Sequence, residues 1–268
     1  MKNDLTITTI QSSLVWENPD QNRENFAEMI RSIDRPTNII VLPEMFSTGF
    51  SMDPSEHAEK ATKAGGPTSK WMAEMAAEKN AVVTGSVAVQ IGKKFYNRMY
   101  WVQPSGEMTH YDKRHLFSLA QENEHYVASK DRVVVDCEGW KVSLNICYDL
   151  RFPIWCRNEM VEGEPRFDVQ IFCANWPITR AKHWRTLLQA RAIENQAYVV
   201  GVNRVGEDVN EFKYSGGTGV FNFNGDYLSQ HKDHSTSIKH ATLSKDDLIE
   251  MRSSLPFLAD GDNFTLKA

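Results

Sequence analysis

Cysteine is scarce in this sequence, and the spacing of the few cysteines excludes several classes of protein. The four cysteines among 268 residues stand at positions 137, 147, 156 and 173, and no two of them form a CxxC pair. The eight histidines form no HExxH motif, so neither a zinc finger nor a zinc protease is indicated. Four cysteines in a chain of this length also lack the density of a secreted disulfide framework. We therefore expect free thiols, no metal and no other cofactor.

Long apolar runs and runs of like charge are missing as well. No apolar run approaches the length of a membrane-spanning helix, and the first residues, Met-Lys-Asn-Asp-Leu-Thr-Ile, hold no signal-peptide core. A net charge of −5 without a basic run argues against nucleic acid or an anionic membrane as a partner. With 41% hydrophobic and 24% charged residues, the composition is that of an ordinary globular protein. We expect a cytoplasmic protein.

Strand and helix patterns alternate along the chain, with no internal repeat and no obvious linker. Asn38–Leu42 is apolar after its first residue, which is typical of a strand covered on both faces. Asp20–Ile33 and Ala181–Gln196 carry apolar residues at helical spacing. Intermingled elements of this kind predict the α/β class with layered sheets. We expect one domain over residues 1–268, with a surface tail from about residue 255.

A cysteine stands where a strand pattern ends. Between residues 140 and 146 apolar and polar residues alternate, and this period of two predicts a half-buried strand. Cys147 follows at once, and Pro153 opens a predicted helix over Ile154–Glu162. At a sharp strand-to-helix turn the side chain is held away from the backbone, and nearby N–H groups can receive a developing negative charge. Free cysteine is usually an apolar filler, but this position predicts a nucleophile.

Glu44 and Lys113 also end, or closely follow, predicted strands. An ordinary thiol, with a pKa of roughly 8.5, is mostly protonated at neutral pH. A carboxylate within hydrogen-bond reach can take the thiol proton, and a nearby ammonium favours the thiolate. The same ammonium can stabilise an oxyanion on the attacked carbon. We therefore predict that Glu44, Lys113 and Cys147 meet in one site, although more than a hundred residues separate the first from the last.

The segments around these residues resemble those of the nitrilase superfamily of carbon–nitrogen hydrolases. The three matching segments are Val41-Leu42-Pro43-Glu44-Met45-Phe46, Tyr111-Asp112-Lys113-Arg114-His115-Leu116-Phe117 and Asn145-Ile146-Cys147-Tyr148-Asp149-Leu150-Arg151-Phe152-Pro153. Three downstream segments match as well: Ala174–Pro177, Ala190–Asn195 and Gly201–Arg204. The resemblance extends to about Leu243. The chain looks most like the bacterial omega-amidases, which hydrolyse the terminal amide of small 2-oxo dicarboxylic acid monoamides.

This resemblance implies a four-layer α-β-β-α sandwich and a homodimer that pairs through helices flanking the nucleophile turn. It also implies a second catalytic glutamate in the loop after the lysine. Glu122 is best placed, because it lies seven residues before the position where the family usually has glycine. That position is Ser129 here, a departure that leaves Glu124 open.

The implied chemistry is amide hydrolysis through a thioester. Glu44 takes the proton of Cys147, and Lys113 and the backbone N–H of Tyr148 hold the oxyanion. Water activated by Glu44, and oriented by Glu122, then releases the acid. The expected substrate is a small amide such as 2-oxoglutaramate or 2-oxosuccinamate.

Candidate substrate-binding residues lie in the same segments. Trp176, Phe46 and Phe117 are expected to wall the pocket, because ligand sites are mostly apolar with few polar anchors. Arg151 can neutralise a substrate carboxylate; the alternative is an ion pair with Asp149 or Glu194.

The sequence leaves other functions open. The three residues do not separate an omega-amidase from another small-acid amidase, a carbamoyl-amide hydrolase or a nitrilase. A non-catalytic protein of the same fold is expected to have lost one of the three, and none is lost. A redox-sensing thiol protein needs a resolving cysteine. Cys156 lies nine residues beyond Cys147, across a predicted helix, which makes the pair geometrically poor.

Overall fold

The computed structural model describes residues 4–62, 64–262 and 264–266. The strands are β1 Leu5–Gln11, β2 Ile39–Val41, β3 Glu59–Lys60, β4 Val82–Ile91, β5 Lys94–Val102, β6 Met108–Asp112, β7 Val134–Cys137, β8 Trp140–Ile146, β9 Met160–Val161, β10 Glu164–Pro165, β11 Val169–Ala174, β12 Tyr198–Asn203, β13 Val205–Glu207, β14 Lys213–Ser215, β15 Gly219–Phe221, β16 Tyr227–Gln230 and β17 Ser237–Leu243. The helices are α1 Pro19–Arg31, α2 Pro54–His57, α3 Pro67–Lys79, α4 Glu122–His125, α5 Pro153–Cys156, α6 Ala181–Asn195 and α7 Lys245–Ser254. Short 3-10 turns cover Ser118–Ala120, Cys147–Arg151, Ile178–Arg180 and Phe257–Asp260.

Two large mixed sheets carry the fold. The first has the strand order β17-β1-β2-β4-β5-β6, with β3 beside β4, and the second has the order β16-β15-β12-β11-β8-β7. In the first sheet β1, β2 and β4 run parallel, and two antiparallel pairings return β6 to the same direction. In the second sheet β8, β11 and β12 run parallel. The carboxyl ends of parallel strands share one edge of a sheet, which is where ligands bind in open α/β sheets.

Side-chain alternation explains why the sheets stack. Ile39 and Val41 of β2 join the core between the two sheets, whereas Ile40 and Leu42 join a second core under α1 and α3. This confirms the prediction of a strand covered on both faces. On the far side, Trp184 and Leu188 of α6 pack on the second sheet. The layers are therefore α-β-β-α, as the sequence resemblance implies.

The prediction of a helix over Ile154–Glu162 is wrong. The α5 helix lasts one turn, and the chain then forms the β9–β10 hairpin. Hydrogen bonds from elsewhere replace the helical ones: the Cys156 carbonyl accepts from Asn195 Nδ2 at 2.9 Å, and the Asn158 N–H donates to Asn195 Oδ1 at 2.9 Å. Tertiary contacts of this kind override a local helical pattern.

A loose surface tail is expected from about residue 255, but a section of this C-terminal segment packs against the domain. The Ser244 hydroxyl caps α7 by accepting from the Asp247 N–H at 3.2 Å, as its sequence predicts. The predicted tail then forms the 3-10 turn Phe257–Asp260, in which Leu258 is buried. Residues 263, 267 and 268 of that tail lie outside the described residues. Among the helices described, none combines the length and apolar character needed to cross a lipid bilayer.

Candidate active site

The three predicted site residues meet where strands of both sheets end. Glu44 follows β2, Lys113 follows β6, and Cys147 follows β8. The Lys113 ammonium lies 2.8 Å from Glu44 Oε1, and both side chains are fully buried. The Cys147 side chain lies in the same pocket as Lys113, and its Sγ is 4.0 Å from the Asn175 carbonyl oxygen. The structure thus brings together the groups that the sequence placed more than a hundred residues apart.

The turn that carries Cys147 is strained and firmly held. Cys147 has φ +44°, a left-handed conformation that non-glycine residues seldom adopt. Asp149 fixes the turn by accepting from the Ile146 N–H at 2.9 Å and from the Tyr111 hydroxyl at 2.8 Å. Arg191 of α6 adds a donor to the Leu150 carbonyl at 2.7 Å. A strained turn with this support holds its side chain in one place.

Glu122 is the second glutamate that contacts the lysine. Lys113 Nζ lies 2.9 Å from Glu122 Oε2 and 3.1 Å from Oε1. The Phe117 N–H also donates to Glu122 Oε2, at 2.6 Å. Glu122 is fully buried, whereas Glu124 is exposed. Of the two candidates left open by the sequence, the structure places Glu122 at the site.

Asn97 and Asn175 complete the polar network, and sequence reasoning missed the first as a site residue. Asn97 Nδ2 donates to Glu44 Oε1 at 2.8 Å and to Glu122 Oε1 at 3.2 Å. The Asn175 N–H donates to Glu44 Oε2 at 2.7 Å. Asn97 occupies the middle of the buried strand β5, where an amide needs partners. That mismatch between residue type and position is the signal that could have found it.

Burial and the nearby Glu44 carboxylate keep the Cys147 thiol protonated. Burial raises the pKa of the Cys147 thiol well above its ordinary value, and the Glu44 carboxylate raises it further, against the opposing effect of Lys113. Burial lowers the pKa of Lys113, but Glu122 and Glu44 outweigh this effect, so the pKa lies well above its usual range. Burial and Glu44 also raise the pKa of Glu122. A nucleophilic role for this thiol would therefore require a base that takes its proton.

An open pocket of about 350 Å³ leads to Cys147. Trp176 and Phe117 line it, as predicted, together with the ring of Tyr148. The expectation for Phe46 is wrong: its fully buried ring packs 5.4 Å from Phe26 in the core under the helices. The chain turns at Met45, and the Phe46 N–H donates to the Ser86 carbonyl, so the ring faces α1 and α3.

Arg151 lines the pocket, and the ion pairs considered for it are wrong. Asp149 binds His115 and Tyr111, and Glu194 binds Arg191. The Arg151 guanidinium instead lies 4.6 Å from the ring centre of Trp176.

The other cysteines offer Cys147 no disulfide partner in the described part of the chain. All four cysteines are free and buried, and Cys156 Sγ lies 3.1 Å from the Asp149 carbonyl oxygen. No group of three or more His, Cys, Asp or Glu side chains among the described residues is arranged to hold a metal ion.

A carboxylate–lysine–thiol site on an α-β-β-α sandwich defines a class of amide-cleaving enzymes. The carbon-nitrogen hydrolase family model matches residues 6–253, and the chain belongs to this family. The resemblance drawn from the sequence motifs is therefore confirmed.

Individual relatives indicate which members of the carbon-nitrogen hydrolase family the chain is similar to. Omega-amidase YafV of Yersinia enterocolitica is 41% identical over 262 residues, which cover 98% of each chain. The 2-oxoglutaramate amidase of Bacillus subtilis is 31% identical over 257 residues, 95% of this chain and 96% of that one. Among solved structures, XC1258 from Xanthomonas campestris, a CN-hydrolase superfamily protein with an arsenic adduct in its active site, is 38% identical with a TM-score of 0.95. It covers 99% of this chain and 100% of its own.

Proposed function

We propose that the protein is an omega-amidase that converts 2-oxoglutaramate or 2-oxosuccinamate, with water, to the 2-oxo dicarboxylic acid and ammonia. The observation that carries the proposal is the buried contact chain Glu44–Lys113–Glu122 beside Cys147, on a chain 41% identical to a protein named omega-amidase. The alternatives are another small-acid amidase, a carbamoyl-amide hydrolase and a nitrilase. We choose the omega-amidase because the named relatives belong to that substrate class.

The first half of the reaction forms a thioester. Cys147 Sγ attacks the amide carbon while Glu44 takes the thiol proton, because the raised pKa of the thiol leaves no preformed thiolate. Lys113 and the backbone N–H of Tyr148 donate to the oxyanion that develops on the amide oxygen. The carbon–nitrogen bond then breaks, and the proton held by Glu44 passes to the departing ammonia.

The second half consumes water. Glu44 takes a proton from a water molecule, which attacks the thioester carbon, and the same donors hold the second oxyanion. The carbon–sulfur bond breaks, the acid leaves, and the thiol recovers its proton from Glu44. Glu122 holds Lys113 in place through both halves and orients the attacking water.

Ammonia release from 2-oxoglutaramate tests the proposal. We expect the native protein to release ammonia and Cys147→Ala to lose at least ~10⁴-fold in rate, because the covalent route is gone. Cys137→Ala, which removes a buried thiol outside the pocket, is the matched control and should stay within a few-fold of the native rate. Equal release by the native protein and Cys147→Ala would remove the nucleophile, and hydrolysis of nitriles alone would move the protein to another branch.

We further infer a cytoplasmic homodimer whose described residues form one domain. Free, buried cysteines suit a reducing compartment. Ile154 of α5 and Ile193 of α6 are apolar yet 59% and 54% exposed, and these helices flank the nucleophile turn. Exposed apolar side chains on such a face suit pairing with a second copy.

A further inference from the structure

The lining of the Cys147 pocket carries positive charge only. Lys113, Arg151 and Arg180 line it, and no Asp or Glu does so among the residues that the structure describes. Lys113 is engaged with two carboxylates at the closed end. Arg151 and Arg180 have no ion pair with any carboxylate within residues 4–62, 64–262 and 264–266, so their charges are free to meet a ligand.

Arg180 is held at the pocket without using its charge. It ends the 3-10 turn Ile178–Arg180 directly before α6, and its carbonyl accepts from Trp176 Nε1 at 2.8 Å. Its guanidinium lies 5.4 Å from the ring centre of Phe117, a contact that leaves the N–H donors available.

Arg151 provides a second guanidinium on the same lining. It stacks near Trp176, and its only polar contact among the described residues is with His183 Nδ1, at 3.2 Å. Burial lowers the pKa of Arg151, and the charge of Arg180 lowers it further, so the two cations are close enough to repel each other. An anion between or beside them would relieve that repulsion.

We propose that Arg180, with Arg151, binds a carboxylate of the substrate and that Arg180 determines specificity for amides of acids over neutral amides. Guanidinium groups bind carboxylates through paired, charge-assisted hydrogen bonds. With the reacting carbon at Cys147, the arginines receive the opposite end of a small acid, in a pocket of about 350 Å³. This inference rests on the proposed function and identifies the residue that recognises the carboxylate of its substrate.

The test compares two substrates that differ by one charge. Ammonia release from glutaramate and from its methyl ester is measured for the native protein and for Arg180→Gln, Arg180→Lys and Arg151→Gln. We expect Arg180→Gln to lower kcat/KM for the acid by roughly 10- to 100-fold and to change the ester by less than about threefold. Arg180→Lys should recover part of the loss, because the charge remains without the paired geometry.

Lys182→Gln is the matched control, since it removes an exposed positive charge two residues away, outside the pocket. Equal losses on acid and ester, or no loss on the acid, would overturn the inference. Thermal unfolding checks that each variant is folded, and Arg151→Gln provides the second reading if Arg180→Gln does not fold.

A binding measurement separates this inference from the proposed function. Calorimetric titration of Cys147→Ala with glutaramate should show binding that is lost or weakened at least tenfold in Cys147→Ala/Arg180→Gln. If the native protein releases no ammonia from any amide tested, the proposed function fails, while this titration still reports on the arginines. If ammonia is released but the titration is unchanged by Arg180→Gln, only the carboxylate site fails.

Discussion

At the scale of single residues, the surroundings of Cys147 decide how the enzyme can work. Cys147 shares its buried site with the carboxyl groups of Glu44 and Glu122 and the ammonium of Lys113. Burial raises the pKa of the Cys147 thiol, and the Glu44 carboxylate raises it further, so a preformed thiolate is disfavoured. The proposed attack by Cys147 therefore requires a base in contact with the thiol.

Removing the charge of Glu44 should move two properties of Cys147 in opposite directions. In Glu44→Gln the thiol loses the neighbour that raises its pKa, so the rate of alkylation by iodoacetamide should rise at a lower pH than in the native protein. Amide hydrolysis should fall by roughly 10²- to 10⁴-fold, because the proposed general base is lost. Quenched alkylation assays and ammonia-release assays over pH 6–10 measure the reactivity of the thiol and the rate of hydrolysis.

Glu124→Gln is the control for this prediction, since Glu124 lies in the same loop but is exposed. It should leave both pH profiles in place. A Glu44→Gln protein in which alkylation and hydrolysis fall together would show that Glu44 mainly holds the thiol in position.

At the scale of elements, local patterns predicted the strands and long helices but not where tertiary contacts end them. The predicted helix Ala181–Gln196 is found as Ala181–Asn195, and Gln196 closes it in the left-handed conformation at φ +45°. The prediction of a long helix after Pro153 was wrong because Asn195 of α6 forms hydrogen bonds with backbone groups of that segment. The signal that ends the Ala181–Asn195 helix lies in the local sequence. The partner that ends the helix after Pro153 lies far away in the sequence, so a local pattern does not contain it.

His231, directly after β16, ties the two sheets together and should make the fold sensitive to acid. Its ring lies 2.9 Å from the Thr9 hydroxyl of β1 and 2.7 Å from the Ser237 hydroxyl of β17. Burial, helped by the charge of Lys239, lowers the pKa of His231 from 6.5 to about 4. Between these values the unfolded chain binds a proton at His231 that the folded chain does not, so stability falls as the pH falls.

We expect His231 to contribute a loss of about 3 kcal/mol in the free energy of unfolding between pH 7 and pH 4, at about 1.4 kcal/mol per pH unit. Urea unfolding of the native protein and of His231→Gln over this range measures it. The variant should show the shallower pH dependence below pH 6.5. His125→Gln, which removes an exposed imidazole, is the control, and parallel curves for the native protein and His231→Gln would contradict the prediction.

At the scale of the whole molecule, strand direction explains why the main site residues could be predicted. Glu44, Lys113 and Cys147 follow strands whose carboxyl ends lie at one edge of each sheet, so their meeting follows from topology. Asn97 and Arg180 were not predicted, because their roles depend on which neighbours the stacked sheets bring to them. Phe46 shows the same limit, since one turn at Met45 sends its ring to the core.

The homodimer inference makes a prediction about α6. A twofold interface buries each residue twice, so one substitution acts at two symmetric places. Burial of an isoleucine is worth roughly 2 kcal/mol, and Ile193→Asp should therefore weaken dimerisation by at least about 10³-fold. Sedimentation velocity across a dilution series measures this, with Val15→Asp as a control at a 39% exposed valine in the loop before α1, outside α5 and α6. A monomeric native protein at micromolar concentration would refute the dimer itself, whereas a dimer that withstands Ile193→Asp would place the interface on a different face.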